Sequence, residues 1–372
     1  MDAILFAGID LIHWLQSLGA WLTPMMAFFS FLGTEEFFLL VLPALYWCLD
    51  SRLGVRVGVI LLVSNGLNTI FKLAFHLPRP FWYDPGVKAL AAETSFGLPS
   101  AHAQNAVVLW GRLASGLKRG WITAAAIVFA LLIGVSRLYL GVHFPSDVLV
   151  GWLFGGLLLF AFIRLEQPFL SWFSRRDLGG RILILLGTTL TILLVGALAI
   201  LVLSTTWEFP AAWLQNAADD LGGESLNPLA LEGLITTCAS FFGLGLGALL
   251  MQAQGGFDPK DRPRRLLYRY LLGLLGAVIL WQGLGLIFPR GENLLSYGLR
   301  FIRYSLVGFW ITYLAPLMFI RLKLLEALPP APMPPPAAPA PQASSPVVEK
   351  PAAAPVERPK TPPRKAGNKG RR

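Results

Sequence analysis

Three short stretches of the chain gather side chains able to do chemistry together: KLAFHLPRP at 72–80, PSAH at 99–102 and SRLYLGVHFPSD at 136–147. They supply three cations, Lys72, Arg79 and Arg137, with too few acids nearby to neutralise them, which makes a receptor for an anion. Phosphate is the natural guest, because guanidinium forks grip its oxygens in pairs while a lysine adds a point charge. Ser100 stands just before an apolar run as an N-cap, leaving backbone amides from Ala101 onward free for the same anion. His143 and Asp147 lie four residues apart, one turn of a helix. A carboxylate at that spacing keeps one imidazole nitrogen protonated and leaves the other lone pair free to attack. His102, in the first turn after Ser100, is placed to protonate a leaving oxygen. An attacker, its orienter, an acid and a cationic cradle are the parts of a nucleophilic displacement at phosphorus.

The elements that must position these residues are membrane helices. The 372 residues are 55% hydrophobic and only 14% charged, which excludes an ordinary soluble domain. A span needs about 20 apolar residues. Nine stretches are expected to cross: 33–49, 54–75, 101–117, 121–139, 147–165, 181–204, 229–252, 267–288 and 302–320. The fold class is thus an all-α polytopic transmembrane bundle. Its divisions are an interfacial N-terminal helix at 1–32, a five-helix core at 33–167, four further spans at 168–326, and a Pro/Ala-rich basic tail at 327–372 that cannot bury a core and reads as disordered. One set of alternate connections holds Arg52, Arg56, Lys118, Arg119, Arg164, Arg175, Arg176, Arg181, Lys260, Arg262, Arg264, Arg265, Arg321 and the tail, and is expected to be cytoplasmic. The chemical stretches at 72–102 and 136–147 then face outward, as does 205–228, which has Glu208, Asp219, Asp220 and Glu224 but no basic residue.

Other features read as structure. The net charge of +10 is spread over short loops and the tail, which excludes a nucleic-acid-binding domain. Cys48 and Cys238 lie in apolar runs and read as packing residues, too few for a disulfide framework or a Cys-based metal site. His13 and His76 read as interfacial, Asn65 and Asn68 as hydrogen-bonding to a neighbouring helix, and the glycines at 243, 245 and 247 as close helix packing.

The pattern Lys72-x6-Arg79-Pro80, Pro99-Ser100-Ala101-His102 and Ser136-Arg137-x5-His143-x3-Asp147 resembles the three-part signature of the type 2 phosphatidic acid phosphatase superfamily. Ten of the eleven fixed residues are present, and the likeness covers about 36–165, with nothing recognised in the later spans. The departure is Ala101, where the family usually has glycine. It costs on the order of 1 kcal/mol if that position needs positive φ, and little if it is the first helical residue. The resemblance implies that His143 becomes phosphorylated, that Asp147 orients it, and that His102 serves the leaving group. Lys72, Arg79, Ser100 and Arg137 would hold the phosphoryl oxygens, with no metal and no cofactor required. The expected function is an integral membrane phosphatase acting on a lipid phosphomonoester or pyrophosphate at the outer face. Two alternatives stand beside it: transfer of a phosphoryl or phospho-head group to an alcohol, and a transporter or scaffold with a degenerate site. The soluble vanadate-dependent haloperoxidases share the signature, but a chain this apolar is not one of them.

Overall fold

Inside a bilayer the backbone must satisfy its own hydrogen bonds, so long apolar runs become helices. The computed structural model describes residues 2–218 and 226–329, and the protein is built almost wholly of helices. They are α1 (Asp2–Ser17), α2 (Thr23–Phe31), α3 (Glu35–Ala44), α4 (Ser51–Phe75), α5 (Pro80–Tyr83), α6 (Ala101–Leu117), α7 (Gly120–Tyr139) and α8 (Pro145–Ser174). There follow α9 (Leu178–Thr206), α10 (Ala211–Ala217), α11 (Glu232–Ala253), α12 (Pro263–Val278), α13 (Leu284–Ile287), α14 (Leu294–Phe309) and α15 (Ala315–Arg321). Short strands β1 (Phe257–Asp258) and β2 (Glu326–Ala327) pair antiparallel.

Helix starts are encoded locally. The Asp50 carboxylate accepts from the Leu53 N–H at 2.9 Å before α4, and Asn293 accepts from the Ser296 N–H at 2.9 Å before α14. Helices α4 and α6 end at residues in the left-handed conformation, His76 (φ 40°) and Lys118 (φ 51°).

Among the described residues, seven helices are long and apolar enough to cross a membrane, or eight if Ala20–Phe31 and Glu35–Leu49, bent by 51° at their break, form one broken span. The expected nine is not reached, because α6 has 17 residues and spends much of its surface on buried polar side chains, Gln104, Asn105 and Arg112 among them. The stretch 1–32 divides in two: α1 buries Ile9 and Ile12 beside Phe81, Tyr139 and Phe144, while α2 belongs to the bent pair. The core boundary placed at 167 falls inside α8, which runs unbroken to Ser174. The polar residues near 165 do not end this helix, since Glu166 is paired with Arg56 and Arg112. Ala327 and Leu328, expected in the tail, belong to the folded part: Ala327 lies in β2 and the Leu328 N–H donates to the Gly256 carbonyl at 3.0 Å. Residues 330–372, and Asp219, Asp220 and Glu224 of the acidic loop, lie outside the described residues.

Around the site, α6 packs against α4, α7 and α8. A Cβ at Gly151 or Gly155 of α8 would stand 2.7 Å from the Ser100 carbonyl oxygen or 2.6 Å from that of Gln104, so α6 and α8 meet backbone to backbone. Asn65 and Asn68 do bond across helices: Asn105 Nδ2 donates to Asn65 Oδ1 at 2.6 Å, and Asn68 Nδ2 to Gln104 Oε1 at 2.9 Å. The later helices join this core at several places, α9 and α11 on α4, α10 on α5 and α12 on α3, and α11 packs on α14 with Gly243 against the Ser305 backbone. Arg269, unremarked in the sequence reading, is fully buried in α12. It donates to the carbonyls of Trp47, Pro259 and Leu324 and pairs with Asp261.

Candidate active site

The three chemical stretches converge at one end of the core. Lys72 comes from the last turn of α4, Arg79 from the residue capping α5, and Arg137 from the last turn of α7. Ser100 caps α6, its hydroxyl accepting from the Ala103 N–H at 3.4 Å, and His102 follows in the first turn. His143 sits in the tight connection between α7 and α8, and Asp147 in the first turn of α8. The Ser100 N–H donates to the Asp147 carbonyl at 3.0 Å, fastening the start of α6 to that of α8.

Asp147 is fixed by the backbone one turn before it. Its Oδ2 accepts from the Phe144 N–H at 2.9 Å and lies 3.2 Å from His143 Nδ1. When Asp147 is ionised its carboxylate only accepts, so Nδ1 then carries the proton and Nε2 presents its lone pair. That Nε2 lies 3.2 Å from Arg79 Nη1. Burial, followed by the charges of Arg79, Arg137, Lys72 and His102, pushes the His143 imidazole well below its ordinary value, so it is held neutral.

The arginines are anchored as well as clustered. Arg79, with no exposed surface, donates to the Ser95 carbonyl at 2.6 Å, to Ser95 Oγ at 3.1 Å and to the Val142 carbonyl at 2.8 Å. Arg137 donates to Ser30 Oγ of α2, and Lys72 Nζ donates to Ser95 Oγ at 2.8 Å. Two buried nitrogens, Arg137 Nε and His102 Nε2, have no hydrogen-bond partner. Gly33, between α2 and α3, lets the bent segment lie on the His102 ring, where a Cβ would come within 2.7 Å of Cδ2. Ala101 is the first helical residue of α6 and is absent from the positive-φ positions, so alanine sits there without strain.

All eight residues expected to form the site are thus brought to one place, but the charge balance differs from expectation. The cations do have an acid. Glu93, on the irregular segment 84–100, bridges the two guanidiniums, Oε2 accepting from Arg79 Nη2 at 2.9 Å and Oε1 from Arg137 Nη2. Burial alone would raise the Glu93 carboxyl, yet Arg79, Arg137 and Lys72 hold it well below the usual carboxylate range, fully ionised. No motif marked it, although Glu93 is the only acid between Asp84 and Asp147. Ser95 and Ser30 were likewise missed, and both are ordinary serines until the fold delivers them. His76 and His13 keep structural roles: His76 packs its ring against Trp207 and Phe96, and His13 Nε2 lies 3.5 Å from Asp84 Oδ2.

Comparison with known proteins covers both halves of the chain. Residues 53–171 match the family model of the PAP2 superfamily, and residues 235–327 match that of the PAP2 superfamily phosphatase, transmembrane extension. The second match takes in α11 to α15, a region whose sequence carries no recognised motif, and leaves α9 outside both matches. Glucose-6-phosphatase 3 of Homo sapiens is 32% identical over 183 residues, 42% of this chain and 53% of that protein. The chain therefore spans about half the length of that relative. Undecaprenyl-diphosphatase of Sulfolobus acidocaldarius is 29% identical over 151 residues, covering 40% of this chain and 72% of that one. The crystal structure of a transmembrane PAP2-type phosphatidylglycerolphosphate phosphatase from Bacillus subtilis is 25% identical, covering 45% of this chain and 88% of that one, with a TM-score of 0.39.

Proposed function

We propose that this chain, which belongs to the PAP2 superfamily through residues 53–171 and 235–327, is an integral membrane phosphatase that removes phosphate from a lipid phosphomonoester or pyrophosphate. The observation that carries the reading is His143, buried, with Nδ1 on Asp147 and Nε2 turned to the Arg79 guanidinium. In the first step Nε2 attacks phosphorus, an N–P bond forms and the P–O bond to the leaving group breaks. His102, protonated when a phosphate dianion is bound beside it, gives its proton to the departing oxygen. In the second step His102 takes a proton from water, the resulting hydroxide attacks phosphorus, and the N–P bond breaks to release inorganic phosphate. Arg79, Arg137, Lys72 and the amides behind Ser100 hold the phosphoryl oxygens as charge builds on them.

A lipid fits the location, because a head group at the membrane boundary reaches the cup without its tail leaving the bilayer. Among relatives, an undecaprenyl-diphosphatase and the phosphatidylglycerophosphatase B of Bacillus subtilis carry lipid-phosphate names, whereas glucose-6-phosphatase 3 names a sugar phosphate. The arginine-rich connections at the far end of the bundle support a site on the extracytoplasmic face, with the C-terminal tail in the cytoplasm.

The test is a panel of polyprenyl pyrophosphate, phosphatidic acid, phosphatidylglycerol phosphate, sphingoid phosphate and glucose 6-phosphate, given to the purified protein and to His143→Ala. The wild type releases phosphate from a lipid substrate, is indifferent to chelators, and yields an acid-labile, base-stable phosphoenzyme at residue 143. Phosphate release by correctly inserted His143→Ala would remove the mechanism, and release from glucose 6-phosphate alone would remove the lipid.

A further inference from the structure

We propose that Glu93 is an internal occupant of the phosphoryl seat: its carboxylate holds the place between Arg79 and Arg137 that the substrate's phosphoryl oxygens take, and catalysis begins with its displacement. This deepens the phosphatase reading above and rests on it.

Carboxylate and phosphate are recognised by guanidinium forks through the same geometry. Glu93 gives one oxygen to each of two arginines, the bridging pattern a phosphoryl group would adopt in the same cup. The two arginines do not depend on it for their placement. Arg79 keeps Ser95 and Val142, and Arg137 keeps Ser30, whether or not an acid lies between them. Nor is the third cation spent on Glu93, since Lys72 donates to the Ser95 hydroxyl and stands ready for an additional oxygen.

The segment that carries Glu93 allows the side chain to leave while the backbone stays. Residues 84–100 contain no helix, but they are fastened at several points: Gln16 Nε2 donates to the Lys88 carbonyl at 2.8 Å, the Leu90 N–H to Leu140 at 2.9 Å and the Gly97 N–H to Leu77 at 2.9 Å. The Glu93 side chain itself is 20% exposed, so a change of rotamer carries the carboxylate to solvent without moving those anchors.

The consequence is selectivity. A tethered carboxylate competes at high effective concentration, so a singly charged group, such as a fatty-acid carboxylate or a phosphodiester, gains nothing by replacing it. A terminal phosphate dianion brings one more charge and a third oxygen for Lys72, and wins the exchange.

Full-length wild type, Glu93→Gln and Glu93→Asp in detergent micelles are compared with orthovanadate as the probe. Its inhibition constant against phosphate release is expected to fall at least tenfold in Glu93→Gln, with Glu93→Asp staying near wild type. An unchanged or higher constant in Glu93→Gln overturns the proposal, because a residue that merely braced the arginines would weaken anion binding when lost. If Glu93→Gln is too unstable to assay, its melting temperature with and without orthovanadate decides. The anion should stabilise it more than it stabilises the wild type, and equal or smaller stabilisation counts against the idea. Failure of the phosphatase reading looks different: the wild type would neither release phosphate nor be stabilised by orthovanadate, and both proposals would then fall.

Discussion

Among the described residues the core holds two Arg–Glu–Arg triads, on different elements. At the site end Glu93 joins Arg79 and Arg137, and at the opposite end Glu166 joins Arg56 and Arg112. They look alike on paper. Glu166, however, projects from the interior of α8 and ties it to α4 and α6, so its carboxylate cannot leave without loosening three helices. Glu93 projects from an irregular segment and ties together two arginines that already have other partners. The same ionic chemistry therefore serves permanence at one end and exchange at the other, and the backbone beneath the acid decides which.

The largest effect should come from the exchangeable triad. Arg137→Lys keeps the charge but loses the fork, and kcat/KM for phosphate release is expected to drop by about 10²–10³. A loss under fivefold would mean that charge alone suffices there. At the other end, Glu166→Gln leaves two guanidiniums without their acid and should lower stability by about 3 kcal/mol, read as a fall in melting temperature. The kcat of the surviving folded enzyme should be unchanged, and a kcat that fell with the melting temperature would erase the distinction between the two ends. Replacing Arg56, Arg112 and Glu166 together with leucine should recover most of that stability, because the apolar triad leaves no charge without its partner.

The pH profile offers a further test. His143 is held below its ordinary value of 6.5, so it stays neutral as pH falls past that point and protonates only at lower pH. The acid limb of kcat/KM, corrected for the substrate phosphate's own ionisation, should accordingly lie below pH 6.5. A limb centred at or above 6.5 would place His143 in a wetter, less cationic setting than the structure gives it. The smallest effect is expected from Ala101→Gly, which restores the family residue at a position with helical φ. The change should stay within about 1 kcal/mol in stability and leave kcat nearly unchanged.

The convergence of the candidate site residues was legible in the sequence because they are bound to helix ends, and helix ends announce themselves. Ser100 precedes an apolar run, Asp147 stands one turn from His143, and Lys72 and Arg137 close long hydrophobic stretches. The polar pairs at Asn65 and Asn68 were readable for a similar reason, since amides inside a span need partners. Glu93 was not, because an acid in a coil segment carries no periodicity that says where it points. Hydropathy also misjudged both margins of the helices. It ended α8 near 165, where Glu166 is neutralised by arginines from other helices, and it overlooked Arg269, whose charge is met by nearby Asp261 and Pro259 and by the distant carbonyls of Trp47 and Leu324. Pairings of that kind exist only after folding.

The hydrogen bond from Ser100 to Asp147 places the first turns of two long helices side by side. Each helix N-terminus behaves as about half an elementary positive charge, so the peptide groups of α6 and α8 charge the cup from below, independently of any side chain. Stripping Lys72, Arg79 and Arg137 of their charge would therefore leave a weak, non-specific attraction for anions, fading as salt is added, and the ability to gather phosphate would outlive the ability to hold it in register.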